Sequence, residues 1–111
     1  MDDCIFCKII KGEIPSERLY EDEKMIVIRD ISPKAKVHIL MIPKEHYADI
    51  TCLDEKRAAD LAECLLKLNG LQERLGISKG FRLVVNRGAS AGQTVFHLHI
   101  HILSGSKMPG F

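Results

Sequence analysis

Apolar residues recur along this chain with two periods, and the switches between them mark out its elements. In CIFCKIIKG, Ile5, Phe6, Ile9 and Ile10 keep helical spacing, Gly12 stops the run and Pro15 follows. ERLYED (17–22) and KMIVIRD (24–30) read as two strands around a tight polar turn. DISPKAK is a loop, and the β-branched run KVHILMIP (36–43) is a third strand that Pro43 ends. The longest element is DEKRAADLAECLLKLNGLQERL (54–75). Ala58, Leu61, Leu65, Leu68, Leu71 and Leu75 recur there at steps of three and four, which predicts one helix with one apolar stripe. Asp54 and Glu55 open it, Arg74 stands near its end and Gly76 just beyond, as the helix dipole and C-cap preferences require. Gly70 is its weak point, at about 1 kcal/mol relative to alanine. GFRLVVNRG is a fourth strand, ASAGQT a small-residue loop, and FHLHIHIL (96–103) a fifth strand. The expected class is α+β: an antiparallel five-stranded sheet, one long helix over a face, and a short N-terminal helix.

Size and charge narrow the function. A chain of 111 residues makes a single domain over 1–111, and 46% hydrophobic residues suffice for one core. A net charge of +1 gives no broad basic surface, so no nucleic-acid partner is expected. No apolar run approaches the roughly 20 residues that cross a bilayer, so no membrane partner is expected either. MDDCIFCKIIKGEIP lacks a signal-peptide layout, and the expected location is cytoplasmic. The four cysteines are then thiols or metal ligands rather than disulfide partners.

FHLHIHIL changes the picture further. Successive strand residues point to opposite faces, so His97, His99, His101 and Leu103 share one face and Phe96, Leu98, Ile100 and Ile102 the other, toward the helix. Three imidazoles in register on an apolar strand are not what a solvated face needs. Two chemistries use such a row: an open metal site with an activated water, or a neutral imidazole that attacks an electrophile while its neighbours handle protons. Just upstream, NRGASAGQT (86–94) combines Gly88 and Gly92 with Ser90, Gln93 and Thr94. Glycines there allow close approach of backbone N–H groups, and hydroxyl and amide donors suit phosphate oxygens.

His97-Leu98-His99-Ile100-His101-Ile102-Leu103 matches His-φ-His-φ-His-φ-φ, with φ apolar, and so resembles the motif of the histidine triad (HIT) family of nucleotide hydrolases and transferases. The likeness runs through IFCKIIKGEIPSERLYED, RDISPKAKVHILMIPKEH and RLVVNRGASAGQTVFHLHIHIL, and is strongest to the Hint branch, which acts on purine nucleoside phosphoramidates. Asn86 and His101 favour that branch over two relatives, which carry glutamine at one or the other position. By resemblance the fold is HIT-like and His99 is the nucleophile on the α-phosphorus, with His101 and His38 as partners. Asn86, Gly92, Gln93 and Thr94 line the phosphate site. Asp30 binds the ribose, and Ile5, Phe6, Ile9, Ile28 and Ile31 surround the base. Taken singly, His38 would pass for a satisfied core histidine, Asp30 for a turn aspartate and the five apolar residues for core.

Cys4 and Cys7 form a C-x2-C pair that by itself could be redox-active or merely buried. The resemblance, in its bacterial form with zinc-binding cysteines, supplies two further ligands, His46 and His97. The zinc is then structural, with four protein ligands and no open position. Cys64 falls near the helix stripe and is core; Cys52 has no assigned role. The resemblance also implies a homodimer and a small-molecule purine nucleotide substrate. Its alternatives are a diadenosine polyphosphate hydrolase, a metalloenzyme built on the three motif histidines, and a nucleotide-binding scaffold with little turnover.

Overall fold

The computed structural model describes residues 3–110. Its element order is α1 (Ile5–Ile10), β1 (Arg18–Glu21), β2 (Met25–Arg29), β3 (Val37–Pro43), α2 (Glu55–Asn69), α3 (Gln72–Leu75), β4 (Arg82–Val84) and β5 (Ile100–Ser104). The five strands form one antiparallel sheet in the order β1-β2-β3-β5-β4. This is the α+β architecture the apolar periods predict, with a short helix at the start and a long one after the third strand.

The period-2 alternation gives the sheet two apolar faces. Met25, Val27, Ile39, Met41, Ile100 and Ile102 meet Cys64, Leu68 and Leu75 from the helical layer. Ile26, Ile28, Leu40 and Ile42 point the other way and meet Phe6 and Ile9 of α1. The short helix therefore caps one face while α2 and α3 cover the opposite one. Cys64 is core, as its place beside the stripe predicts, and burial pushes its thiol up to about 11.

Helix boundaries follow their caps. The Asp54 carboxylate accepts the Arg57 N–H at 2.8 Å and starts α2. Gly76 ends α3 at φ 74°, in the left-handed region that glycine enters without a steric penalty. The expected single helix over 54–75 is interrupted, however. α2 stops at Asn69, Gly70 caps it, and α3 restarts at Gln72. Glycine is the residue where the helical backbone is least favoured, and the break lets Leu75 and Ile77 turn into the core. Ala58, expected on the stripe, is exposed in the first turn of α2, beyond the edge of the packed core.

The fifth strand is also shorter than its alternation suggests. Paired residues begin at Ile100, and a bend at 95–97 precedes them. Phe96, expected under the helix, is 49% exposed because this bend carries it out of the sheet. Leu98 remains buried, its N–H donated to the Tyr47 carbonyl at 2.8 Å.

A histidine-lined cavity beside a cysteine–histidine cluster

Register brings the histidines together. His38 of β3 stands opposite Leu103 of β5, and Leu40 opposite His101. His38 and His101 are thus diagonal neighbours on one face, with ring centroids 5.2 Å apart. His99, one step before β5, follows on that face 5.0 Å from His101. They line a cavity of about 700 Å³ whose other walls come from α1, β2, the 30–34 loop and the 86–95 segment.

Backbone partners fix the tautomers, because a backbone N–H always donates and a carbonyl always accepts. The Lys34 N–H donates to His38 Nδ1 at 2.9 Å, so a neutral His38 carries its proton on Nε2. That atom lies 2.9 Å from His101 Nδ1, which accepts it and leaves the His101 proton on Nε2. The His99 Nδ1–H donates to the His97 carbonyl at 2.7 Å, so in the neutral form of this ring the lone pair sits on Nε2. Burial pushes His38 down from the ordinary histidine range, against the pull of Asp30. Burial does the same to His101, helped by neighbouring His99 and His38. Both are held neutral, as this chain of donors and acceptors demands.

Asp30 stands beside this pair. Its Oδ1 accepts the Ser32 N–H at 2.7 Å, a turn-forming contact. Its Oδ2 lies 3.4 Å from His38 Nε2 and 4.0 Å from His101 Nδ1. The side-chain atoms of Asp30, His38 and His101 lie within 4.8 Å of one another, as in a three-ligand metal site. Coordination through His38 Nε2 would require Nδ1 to carry the proton, where the Lys34 N–H already points. The trio fits proton transfer better than metal binding.

Asn86, Gly92 and Thr94 reach the cavity wall, as do Ile5, Phe6, Ile9, Ile28, Asp30 and Ile31. Gln93 is set behind it: the carboxamide accepts from Gly88 N–H at 2.8 Å and donates to the carbonyls of Ala48 and Val95. The N–H groups of Gly92 and Gln93 close the loop's own turns on the Ala89 and Gly88 carbonyls. The polar side chains left facing the cavity from this loop are those of Asn86 and Thr94. Ile5 and Ile31 are not core, at 43% and 96% exposed, whereas Phe6, Ile9 and Ile28 are buried. Ile14, Leu40, Val95 and Leu103 extend the apolar lining. Leu40 and Leu103 were open to discovery from the strand period, since each shares a face with a histidine. The Lys34 N–H carried no side-chain signal at all.

Cys4, Cys7, His46 and His97 converge in a second cluster outside the cavity lining, their ligand atoms within 4.8 Å of one another. Cys4 Sγ is 3.5 Å and Cys7 Sγ 3.6 Å from His97 Nδ1. Cys7 Sγ is 3.3 Å from His46 Nδ1, and the two Nδ1 atoms are 3.1 Å apart. Bonds of about 2.3 Å to sulfur and about 2.0–2.1 Å to nitrogen give tetrahedral edges of about 3.3–3.8 Å, so the four donors fit a Cys2His2 zinc site. His97 donates Nε2–H to the Pro43 carbonyl at 2.7 Å, which turns a bare Nδ1 toward the cluster. Burial pushes the His97 imidazole down to about 4, keeping that lone pair available. Burial and the adjacent Cys4 sulfur raise the Cys7 thiol, a penalty that a dication between the sulfurs would reverse. Phe6, between the two cysteines, sets its ring edge-on to His99 with centroids 4.9 Å apart.

A sheet whose central strands present a tautomer-locked histidine row to an apolar cavity defines a class of histidine-centred small-molecule sites. Residues 11–108 match the HIT domain family, so the chain belongs to that family. It is 46% identical over 104 residues to an uncharacterised HIT-like protein of Synechocystis, covering 94% of this chain and 91% of that one. It superposes on the HIT family hydrolase from Clostridium thermocellum with a TM-score of 0.93 and 50% identity, covering 100% and 97% of the two chains. For the histidine triad nucleotide-binding protein from Candida albicans the TM-score is 0.82 at 34% identity, with 98% and 82% covered. Cys4 and Cys7 precede the matched span. Among the described residues no helix is long and apolar enough to cross a membrane.

Proposed function

We propose that this protein hydrolyses the P–N bond of purine nucleoside 5′-phosphoramidates of the AMP-lysine type, and by the same route the P–O bond of aminoacyl adenylates, through a nucleotidyl-histidine intermediate on His99. The observation that carries the reading is the 2.7 Å bond from His99 Nδ1 to the His97 carbonyl, which leaves the Nε2 lone pair as the free nucleophile. Related chains described as a HIT family hydrolase and as a nucleotide-binding protein support it.

In the first step His99 Nε2 attacks the α-phosphorus, the P–N bond breaks, and the amine leaves with a proton drawn from His101 Nε2–H. The His38 Nε2–H, 2.9 Å from His101 Nδ1, offers that ring a proton on its other nitrogen. In the second step water attacks phosphorus, gives its proton to this pair, and the N–P bond breaks to release nucleoside monophosphate and free His99. Asn86 and Thr94 offer donors to the nonbridging oxygens, and the loop closed by Gly92 and Gln93 holds them in place. Asp30 takes the ribose hydroxyls, and Ile5, Phe6, Ile9, Ile28 and Ile31 sandwich the base.

Zinc at Cys4, Cys7, His46 and His97, when bound, cross-links α1 to the sheet and takes no part in the chemistry. The same reading makes the protein a homodimer, joined through the short edge strand β4, where Leu83 is 41% exposed, and through α2, where Leu66 is 70% exposed. Sedimentation gives the mass directly. The reaction is tested by mixing the protein with adenosine tryptamine phosphoramidate, quenching within one turnover, and mapping the label. A nucleotidyl adduct on His99 is expected. Turnover without any adduct, or faster turnover of diadenosine polyphosphates, would overturn the reading.

A further inference from the structure

The cavity holds one charged side chain without a task. Arg29 and Lys34 are the two cations on its wall, and Asp30 the one carboxylate. Arg29 lies 3.6 Å from Glu17. Asp30 is engaged with the Ser32 N–H and His38. The Lys34 ammonium has no carboxylate within ion-pair distance among the described residues, although its N–H is bound to His38. It is an exposed cation anchored beside the histidine relay, and its charge adds to burial in pushing His38 and His101 down.

Position decides what this charge meets. A leaving group departs opposite the attacking His99 nitrogen and collects its proton from His101. It therefore emerges on the side of the cavity where His101, His38 and Lys34 stand. We propose that Lys34 selects leaving groups carrying a negative charge, so that the preferred substrates are phosphoramidates of amines that also bear a carboxylate, such as an amino acid joined through its amino nitrogen. This rests on the phosphoramidase reading. A polyphosphate leaving group presents the same charge and is separated by the test.

Binding to the non-turning His99→Gly variant is measured by calorimetry for adenosine 5′-phosphoramidates of glycine and of glycine methyl ester. The carboxylate compound binds more tightly by about two- to fivefold, the scale of one exposed ion pair. That preference vanishes with Lys34→Ala, reverses with Lys34→Glu, and shrinks in about 0.5 M salt. Lys34→Ala keeps the main-chain N–H to His38, and in the His99 protein it raises KM for the carboxylate compound more than KM for the ester. Equal affinity for the two compounds, or an equal loss for both on substitution, overturns the proposal and leaves the phosphoramidase reading standing. A Lys34 effect confined to diadenosine triphosphate reassigns the residue to polyphosphates and overturns it also. Failure of both phosphoramidates to bind sinks the underlying reading.

Discussion

The carbonyl of His97 accepts the Nδ1–H of His99 at 2.7 Å, and this single bond joins the cysteine–histidine cluster to the cavity. His97 is simultaneously a donor residue of the cluster and the anchor of the next imidazole, His99. Phe6 repeats the link from the other side, its ring edge-on to both His97 and His99. Order in the cluster therefore sets the direction of the His99 lone pair.

On the proposed mechanism, replacing His99 by glycine removes the nitrogen that would bond phosphorus. Turnover falls by at least about 10³-fold, as when a nucleophile is deleted elsewhere, while nucleotide affinity is kept. Steady-state kinetics with a parallel binding titration checks both halves.

The acid limb of the pH profile lies below the ordinary histidine range. Burial lowers His38 and His101, and protonating His38 would also break its bond with the Lys34 N–H. Activity is expected to hold as pH falls through about 6.5 and to decline only below it. The stability linkage has the same sign: the contribution of these depressed groups is complete above the unfolded value and is lost as pH falls through the folded one. Urea melts of the protein between pH 7.5 and 5 test this, and stability that rises on acidification would contradict it.

With zinc in the cluster as proposed, chelation loosens α1 before it affects the chemistry. Cys4 also caps α1, accepting the Cys7 N–H at 3.4 Å, so Cys4→Ser alters both a cluster donor and a cap. Structural zinc supplies several kcal/mol, which for a domain of this size is a fall of at least about 10 °C in Tm on chelation. Differential scanning calorimetry with metal analysis reads the shift. KM for nucleotide should rise with it, since Phe6 lines the cavity.

Leu68→Ala serves as a control on the opposite face. Leu68 is 2% exposed beneath α2 and does not touch the cavity. The substitution costs about 2–5 kcal/mol of stability, with kcat/KM unchanged well below the new Tm. Denaturant unfolding and kinetics on one preparation separate the two effects.

Much of this was legible along the chain. The period-2 runs set the strands and their faces, the period of three and four set the helical layer, and the order of Asp54 and Gly76 set its ends. The histidine alternation marked part of the cavity wall, while the four cluster donors came from the C-x2-C pair together with the family resemblance. Tertiary structure decided what no one-dimensional pattern carries. The break at Gly70, the bend that exposes Phe96, and the inward turn of Gln93 each depend on the space left by distant neighbours. The tautomers belong to the same class. A proton sits on one ring nitrogen or the other according to whether a main-chain carbonyl or N–H faces it, and Pro43, His97 and Lys34 supply those groups through backbone atoms common to every residue. Side-chain identity fixed which ionisable groups were available; the folded backbone fixed which ring nitrogen of each carries the proton.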